Sequence, residues 1–188
     1  RQESAAGGNI LLGDNNDVNT LAASNAFATG VITFNDTDDL TIGAVAAQVS
    51  DGVSFAATSG AATTNGDILL NANGFLTLNQ QVNAGIADVR LVADGNITQS
   101  ATGIITADEL GVRQESAAGG NILLGDNSDV NTLAASNAFA TGVITFNDTD
   151  DLTIGAVAAQ VSDGVSFTAT SGVATTNGDI LLNTNGFL

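Results

Sequence analysis

The chain contains a long internal repeat. Residues 1–76 return almost unchanged as residues 113–188, a shift of 112 positions. Only four of the 76 paired positions differ, namely Asn16/Ser128, Ala56/Thr168, Ala61/Val173 and Ala72/Thr184. A chain of near-copies folds as a quasi-one-dimensional array in which each unit meets its neighbours. We therefore expect residues 1–112 to form a complete repeat and residues 113–188 a partial second copy in one continuous solenoid, with a structural or adhesive role.

The composition favours short strands around a narrow interior. Hydrophobic residues make up 44% of the chain, mostly Ala, Val, Ile and Leu, with eight Phe and no Trp, Tyr or Met. Pro is absent, so no backbone N–H is removed from a strand ladder. The 22 Gly, with abundant Asn and Asp, supply frequent turns. Many short strands joined by tight turns are the structure that these residues predict.

The charge excludes several classes of function. The net charge is −17, with no Lys, no His and only three Arg. Nucleic-acid binding needs clustered cations, and anionic lipid surfaces repel such a chain. Without His and Cys there is no zinc site or nucleophilic triad, and phosphate-loop chemistry lacks its Lys. We expect no enzyme activity, no nucleic-acid partner, no cofactor other than a candidate Ca²⁺, and no membrane insertion, because no run approaches about 20 apolar residues.

Strand-like runs of four to six residues recur about every 22 residues and end at Gly, Asn or Asp. First strands of successive units are predicted to begin at Gly8, Gly30, Gly52, Gly66, Asp88 and Gly103. This spacing suits the coils of a parallel β-solenoid better than the hairpins of an antiparallel sandwich or a propeller. Dividing the repeat length by 22 predicts five coils per repeat, and counting first strands predicts six. We thus expect an all-β parallel β-helix with about 5–6 coils per 112-residue repeat.

Strand alternation predicts the core. The residues expected to point inward are Ile10, Leu12, Val18, Ile32, Phe34, Leu40, Ile42, Phe55, Ile68, Leu70, Leu76, Leu78, Val89, Leu91 and Ile97. Between them, Thr41, Thr77 and Thr98 are expected to face outward in a column. Asn and Asp at the corners between strands are expected to stack in hydrogen-bonded ladders along the axis. The expected corner residues are Asn15, Asp36, Asn73 and Asn96.

Two phrases of the repeat resemble a known family. They are Asp88–Gln99, with the sequence DVRLVADGNITQ, and Gly103–Val112, with the sequence GIITADELGV. Together they resemble the repeat region of filamentous-haemagglutinin-like adhesins, the large exported proteins of two-partner secretion. The resemblance implies a right-handed parallel β-helix, secretion to the bacterial cell surface, and a role in adhesion or biofilm. The chain begins at Arg1 without Met and ends within its second copy, so we expect it to be a segment of a longer protein.

Two loops are rich in oxygen ligands and are candidates for Ca²⁺. Their carboxylates belong to Asp14, Asp17, Asp36, Asp38 and Asp39. Neither loop matches an EF-hand, since the glycine and the distant glutamate are absent, and solvated acidic turns are the competing interpretation. Arg1, Arg90 and Arg113 are expected to pair with acids on adjacent coils.

The overall prediction is an extracellular rod or filament that serves adhesion, biofilm or fibre assembly. Its expected partners are further copies of itself, by end-to-end or lateral association, and cell-surface glycans or receptors. A carbohydrate-binding module on a β-helix is the first alternative, in which Phe27, Phe34, Phe55 and Phe75 would stack on sugars. A β-helix enzyme that degrades polysaccharides is the second, and it needs basic or acid–base groups in a groove.

Overall fold

The computed structural model of the chain describes residues 1–4 and 6–188. Every regular element in these residues is a β-strand. Seventeen strands form one sheet whose neighbouring strands pair in parallel, and this sheet curls round a single core. The predicted all-β parallel β-helix is confirmed. Among the described residues there is no helix long and apolar enough to cross a membrane.

In chain order, the strands are β1 (Ile10–Asn16), β2 (Thr20–Leu21), β3 (Ala23–Asn25), β4 (Ile32–Asp36), β5 (Leu40–Ile42), β6 (Ala44–Val45), β7 (Gln48–Ser50), β8 (Val53–Phe55), β9 (Thr58–Ser59), β10 (Ala61–Thr63), β11 (Ile68–Ala72), β12 (Leu76–Leu78), β13 (Val82–Asn83), β14 (Val89–Ala93), β15 (Ile97–Gln99), β16 (Ile105–Gln114), β17 (Ile122–Asn137), β18 (Ile144–Asp148), β19 (Thr153–Ile154), β20 (Ala156–Val157), β21 (Gln160–Ser162), β22 (Val165–Phe167), β23 (Thr170–Ser171), β24 (Val173–Ala174) and β25 (Ile180–Thr184).

Each coil has three faces, which we name A, B and C in the order in which the chain meets them. Face A starts with β1, face B with β2 and face C with β3. Each later strand of the seventeen-stranded sheet lies beside the strand one coil earlier. The pairs are in register except for a shift between Leu12 and Asn16 and its counterpart between Leu124 and Ser128. The long strand β16 crosses from the first copy into the second, and β17 pairs along it, so the ladder continues over the boundary between the copies.

The second copy is rotated by one face relative to the first. One inward file on face A passes through Ile10, Ile32, Ile68, Val89 and Leu110, which are four coils apart from end to end. Ile122, the counterpart of Ile10, pairs with Ile97 on face B instead. A repeat therefore advances by four coils and a third, or about 21 Å at about 4.8 Å per strand. The prediction of five to six coils is wrong.

The miscount has two local causes. The run that begins at Gly103 lies on face C, where Ile105 pairs with Val82, so it does not open a coil. The run Gly52–Phe55, predicted to open a coil, belongs to a hairpin in which β8 pairs antiparallel with β7. We name residues 44–59 (β6–β9) the first hairpin and residues 156–171 (β20–β23) the second hairpin. Each hairpin leaves the coil between two faces and turns at an Asp–Gly pair with positive φ, 49° at both Asp51 and Asp163. Because neither hairpin winds round the core, neither adds a coil.

The inward aliphatic residues form one continuous core, as alternation predicts. Of the predicted set, those buried in this core are Ile32, Phe34, Leu40, Ile42, Ile68, Leu70, Leu76, Leu78, Val89, Leu91 and Ile97. Ile10 packs on the edge of the core, while Leu12 and Val18 are exposed. Their counterparts Leu124 and Val130 are buried. The difference arises because the first coil has a neighbouring coil on one side only. Phe55 lies outside the core, in the first hairpin.

Two polar files run along the outside of the coils. Thr41, Thr77 and Thr98 are in register on face B, which confirms the predicted threonine column. An asparagine ladder follows the end of face A, where the Asn71 amide donates to Asn35 Oδ1 at 2.6 Å and the Asn35 amide to Asn15 Oδ1 at 3.3 Å. Asp36, predicted to belong to this ladder, is instead buried and accepts hydrogen bonds from the backbone N–H groups of Val18 and Asp38.

The counterpart of Asp36 in the second copy is buried in the same way. Asp148 accepts the backbone N–H groups of Val130 and Asp150, which ties a turn to the coil before it. Burial raises the pKa of Asp148 to about 6, and this effect outweighs the two backbone hydrogen bonds, which lower it. The folded chain therefore holds this proton more tightly than the unfolded chain, whose carboxyl has a pKa near 3.8.

We expect stability to depend on pH through Asp148. Its contribution is fully present below about pH 3.8 and is lost as the pH rises to about 6, an effect of about 2–3 kcal/mol. Thermal unfolding midpoints measured from pH 4 to pH 7 should fall less steeply in Asp148→Asn. Asp51→Asn removes one charge at an exposed hairpin tip and serves as the control. Equal pH profiles for Asp148→Asn and this control would contradict the assignment.

Candidate functional site

The second hairpin folds back over the outside of the first copy. Beneath it lies a row of side chains in register on face A, which we name the outward file: Leu11, Thr33, Leu69, Arg90, Gly111 and Ala134. The hairpin leaves the coil after β19 and reaches Gly13 in the first coil with its tip, so it spans the whole first copy. We take this contact between the copies as the candidate functional site.

An apolar cluster holds the base and middle of the hairpin. Val157, Val165 and Phe167 of the hairpin are buried against Leu69, Val92 and Ala134 of the coils. The Phe167 ring occupies the space beside Gly111, where an added Cβ would lie 2.4 Å from the ring. A side chain at position 111 would therefore displace the ring. Burying a Phe and two Val stabilises the seated hairpin by several kcal/mol on a scale of about 1.5–3 kcal/mol each.

Arg90 lies at the centre of this interface and is almost fully buried. Its Nε donates to the carbonyl of Ala158 at 3.2 Å, and its guanidinium also donates to Gln160 Oε1 at 3.2 Å. On the coil side it pairs with Asp88 at 2.9 Å and Asp67 at 3.5 Å. The guanidinium also lies 5.9 Å from the centre of the Phe167 ring, within the range of a cation–π contact. A planar group with five donors suits a site with this many acceptors.

The carboxylates around Arg90 are partly withdrawn from water. Burial raises the pKa of Asp88, although the neighbouring Arg90 charge lowers it, and the nearby Asp67 raises it further. Asp67 also accepts a hydrogen bond from the Gln160 amide at 2.8 Å, so it joins the coil to the hairpin. The predicted pairing of Arg90 with an acid on an adjacent coil is confirmed. Arg1 and Arg113 pair instead with Glu3 and Glu115, two residues along the chain.

Polar contacts fix the tip and base of the hairpin. At the tip, Asp163 accepts the Gly13 backbone N–H at 2.8 Å, and the Ser162 and Thr33 hydroxyls are 2.6 Å apart. A Cβ at Gly13 would lie 1.9 Å from the Asp163 carbonyl oxygen, so this position excludes any larger residue. At the base, Arg113 donates to the Thr170 hydroxyl at 3.1 Å. Two of the three arginines therefore contact the second hairpin.

Identical residues in the two copies show how much surface the contact covers. Val165 is 6% exposed, whereas its counterpart Val53 in the first hairpin is 75% exposed. On the coil side, Leu69 is 1% exposed and its counterpart Leu181 is 62% exposed. The two hairpins differ only at Ala56/Thr168. Position in the stack, and not sequence, therefore decides which hairpin is covered.

The Ca²⁺ candidates do not converge in the described residues. Asp36 is buried and bound to backbone N–H groups, and Asp39 accepts the Phe75 N–H at 2.7 Å. Asp14, Asp17 and Asp38 are exposed, and the interaction of Asp38 with the Asp36 carboxyl raises the pKa of Asp38. In the described part of the chain no group of three or more acidic, His or Cys side chains is placed to hold a metal ion. Ca²⁺ binding at these loops stays a prediction.

The aromatic candidates for sugar stacking are dispersed. Phe34 belongs to the core, and Phe27 and Phe55 are half-buried. Phe75 is exposed and covers the backbone of Gly95. Beside it, a polar cleft of about 370 Å³ lies between the asparagine ladder and the second hairpin, with Asn73, Asp94 and Glu115 among its lining residues.

Comparison of the chain with protein-family models, curated proteins and solved structures finds no match.

Sequence reasoning missed the contact between the copies. One signal was available, because Asp51–Gly52 between two alternating runs is a strong hairpin pattern. A second signal was Arg90, the one Arg in the interior of the repeat, because a lone positive side chain in so acidic a chain marks a position where carboxylates or carbonyls can meet. No local pattern, however, indicates that a hairpin in one copy seats on the copy before it.

We expect Arg90→Gln to release the second hairpin. The substitution removes both ion pairs and the bonds to Ala158 and Gln160, at a cost of about 2–3 kcal/mol in the free energy of unfolding. Chymotrypsin should then cut after Phe167 as readily as after Phe55, whereas in the unaltered chain it should cut only the latter. The fragments are identified by mass spectrometry.

Arg1→Gln is the matched control, since Arg1 forms an exposed pair with Glu3 and should matter by about 1 kcal/mol or less. If Phe167 remained resistant in Arg90→Gln, the central role given to Arg90 would be wrong.

Proposed function

We propose that this chain is a structural segment of a large, exported repeat protein that forms an extracellular rod or filament at the bacterial cell surface for adhesion, biofilm or fibre assembly. The observation that carries the proposal is the relation between the two copies. A second copy continues the ladder of the first with a fixed advance and a fixed rotation, so further copies extend the same rod without changing its cross-section.

The surface chemistry agrees with a structural role. With no Lys or His and a net charge of −17, the outside carries carboxylates, amides and hydroxyls in files. Like charges keep such rods soluble and apart at low salt, and divalent cations or high ionic strength reduce that repulsion. The resemblance of the repeat to filamentous-haemagglutinin-like adhesins supports the same role and the same export to the cell surface.

If the copies extend one rod, the length of the particle should grow with the number of repeats. Arrays of two, four and eight repeats imaged by negative-stain electron microscopy should lengthen by about 21 Å per repeat at constant width. Beads coated with equal amounts of each array should adhere to host cells or abiotic surfaces in proportion to rod length. Compact particles whose length does not grow would contradict the rod, and beads that fail to adhere would contradict the adhesive role.

A carbohydrate-binding module is the second candidate, and one observation favours it. The polar cleft beside the asparagine ladder presents amide and carboxylate groups that suit sugar hydroxyls, and Phe75 lies exposed in the neighbouring cleft. The Phe75 ring offers a flat apolar face for stacking, and the polar groups beside it can pair with hydroxyls.

If the cleft binds glycans, Phe75→Ala should reduce binding on a glycan array by about tenfold, as expected for the loss of about 1.4 kcal/mol of stacking. Phe187→Ala removes the counterpart of Phe75 in the second copy and should leave binding unchanged, because Phe187 lines neither of these clefts. Absence of glycan binding by the unaltered chain would eliminate this candidate and leave the rod proposal in place.

A further inference from the structure

The first hairpin has the same sequence as the seated one except at Ala56/Thr168, and among the described residues no coil lies beneath it. Val45 and Val53 are exposed, whereas their counterparts in the second hairpin, Val157 and Val165, are buried. Gln48, the counterpart of the Arg90-bound Gln160, is exposed as well. Arg1, the counterpart of Arg113, lies at its base in a shallow cleft with Thr58. The first hairpin therefore presents the same binding groups as the second.

We propose that the first hairpin is a docking element whose partner is the outward file of another copy of this 112-residue repeat, the copy stacked directly before it. The partner surface is defined by the seated hairpin: a Gly at the tip, a Thr, a Leu, a buried Arg flanked by two Asp, and a Gly beside the aromatic ring. In the first copy these are Gly13, Thr33, Leu69, Arg90 and Gly111.

The groups of the first hairpin are complementary to this partner surface in charge and in shape. The first hairpin offers the Ala46 carbonyl and the Gln48 side chain at the positions where Ala158 and Gln160 accept bonds from Arg90. A buried guanidinium is available at one position per repeat in a chain of net charge −17. The Phe55 ring needs the bare backbone that Gly111 supplies to Phe167.

A neighbouring chain of the same kind does not offer this surface freely. The outward file of its first copy is already covered by its own second hairpin. The partner must be a copy whose file is still open and that stands one repeat earlier on the same axis. The second copy has such an open file. Leu181 and Thr145, the counterparts of Leu69 and Thr33, have no hairpin over them and are more exposed than those two residues.

The inference goes beyond the proposed rod, which needs only the strand ladder. Since each copy is rotated by one face, successive hairpins would cover successive faces of the solenoid. Each junction between copies would then be held by a hairpin of the later copy seated along the earlier one. The resulting array resists separation of its coils at every junction and hides one apolar hairpin per repeat from solvent.

The test extends the chain by one copy. A chain in which residues 1–112 precede Arg1 recreates the native junction, because Val112–Arg113 already joins the two copies. In this extended chain, chymotrypsin should cut after Phe55 of the original first copy at least about tenfold more slowly than in the unextended chain. Phe167, which is covered in both chains, reports that the solenoid is folded.

Two variants of the added copy serve as controls. Arg90→Glu in the added copy should restore rapid cutting after Phe55 while Phe167 stays resistant. Arg1→Gln in the added copy should have no effect on either site. Rapid cutting after Phe55 in the unsubstituted extended chain, with Phe167 intact, would overturn the proposal while leaving the rod unaffected.

A disulfide supplies a second readout that does not depend on proteolysis. The Thr33 and Ser162 hydroxyls are 2.6 Å apart in the seated hairpin, and the chain has no Cys of its own. Thr33→Cys in the added copy and Ser50→Cys in the original first copy should cross-link as completely as Thr33→Cys with Ser162→Cys in the unextended chain. No cross-link in the former pair, with cross-linking in the latter, would also overturn the proposal.

Discussion

The parallel strand ladder is the constraint on which the rest of the structure depends. The backbone N–H and C=O groups of each strand form hydrogen bonds with the coils before and after it. Equivalent side chains are therefore held in files, in which successive side chains lie about 4.8 Å apart. The inward files merge into one aliphatic core, and the outward files place Thr above Thr and Asn above Asn. The same register aligns Leu69, Arg90 and Gly111 under the second hairpin. The site is thus a consequence of the ladder.

A repeat length that is not a whole number of coils has a structural effect. If the repeat closed after complete coils, every hairpin would leave from the same face. The extra third of a coil instead rotates each copy by one face, and three repeats return to the starting orientation after thirteen coils at four and a third coils each. The hairpins are therefore distributed round the axis and do not crowd one side, and the rod keeps a similar surface in all directions.

Much of the fold was predictable because the strands carry their own signals. Alternating aliphatics such as Leu76 and Leu78, bounded by Gly and Asn, specify a short strand with one buried side, and the structure confirms them. The coil count failed in part because Gly52–Phe55 has the same local pattern as a coil strand but pairs antiparallel with β7. Composition does not distinguish these two pairings. Asp51–Gly52 does, because its positive φ angles suit a two-residue hairpin turn.

The sequence by itself determined the all-β class, the parallel stacking, the threonine file and most of the core, because these follow from periodicity and from residues near one another in the chain. Only the tertiary structure decided the number of coils, the rotation between copies and the seating of the second hairpin. These depend on contacts such as Arg90 with Ala158 and Gly13 with Asp163, which are 68 and 150 residues apart. The two hairpins, which differ in sequence only at Ala56/Thr168 but differ widely in burial, show the reason: what covers a side chain depends on which copy lies beneath it.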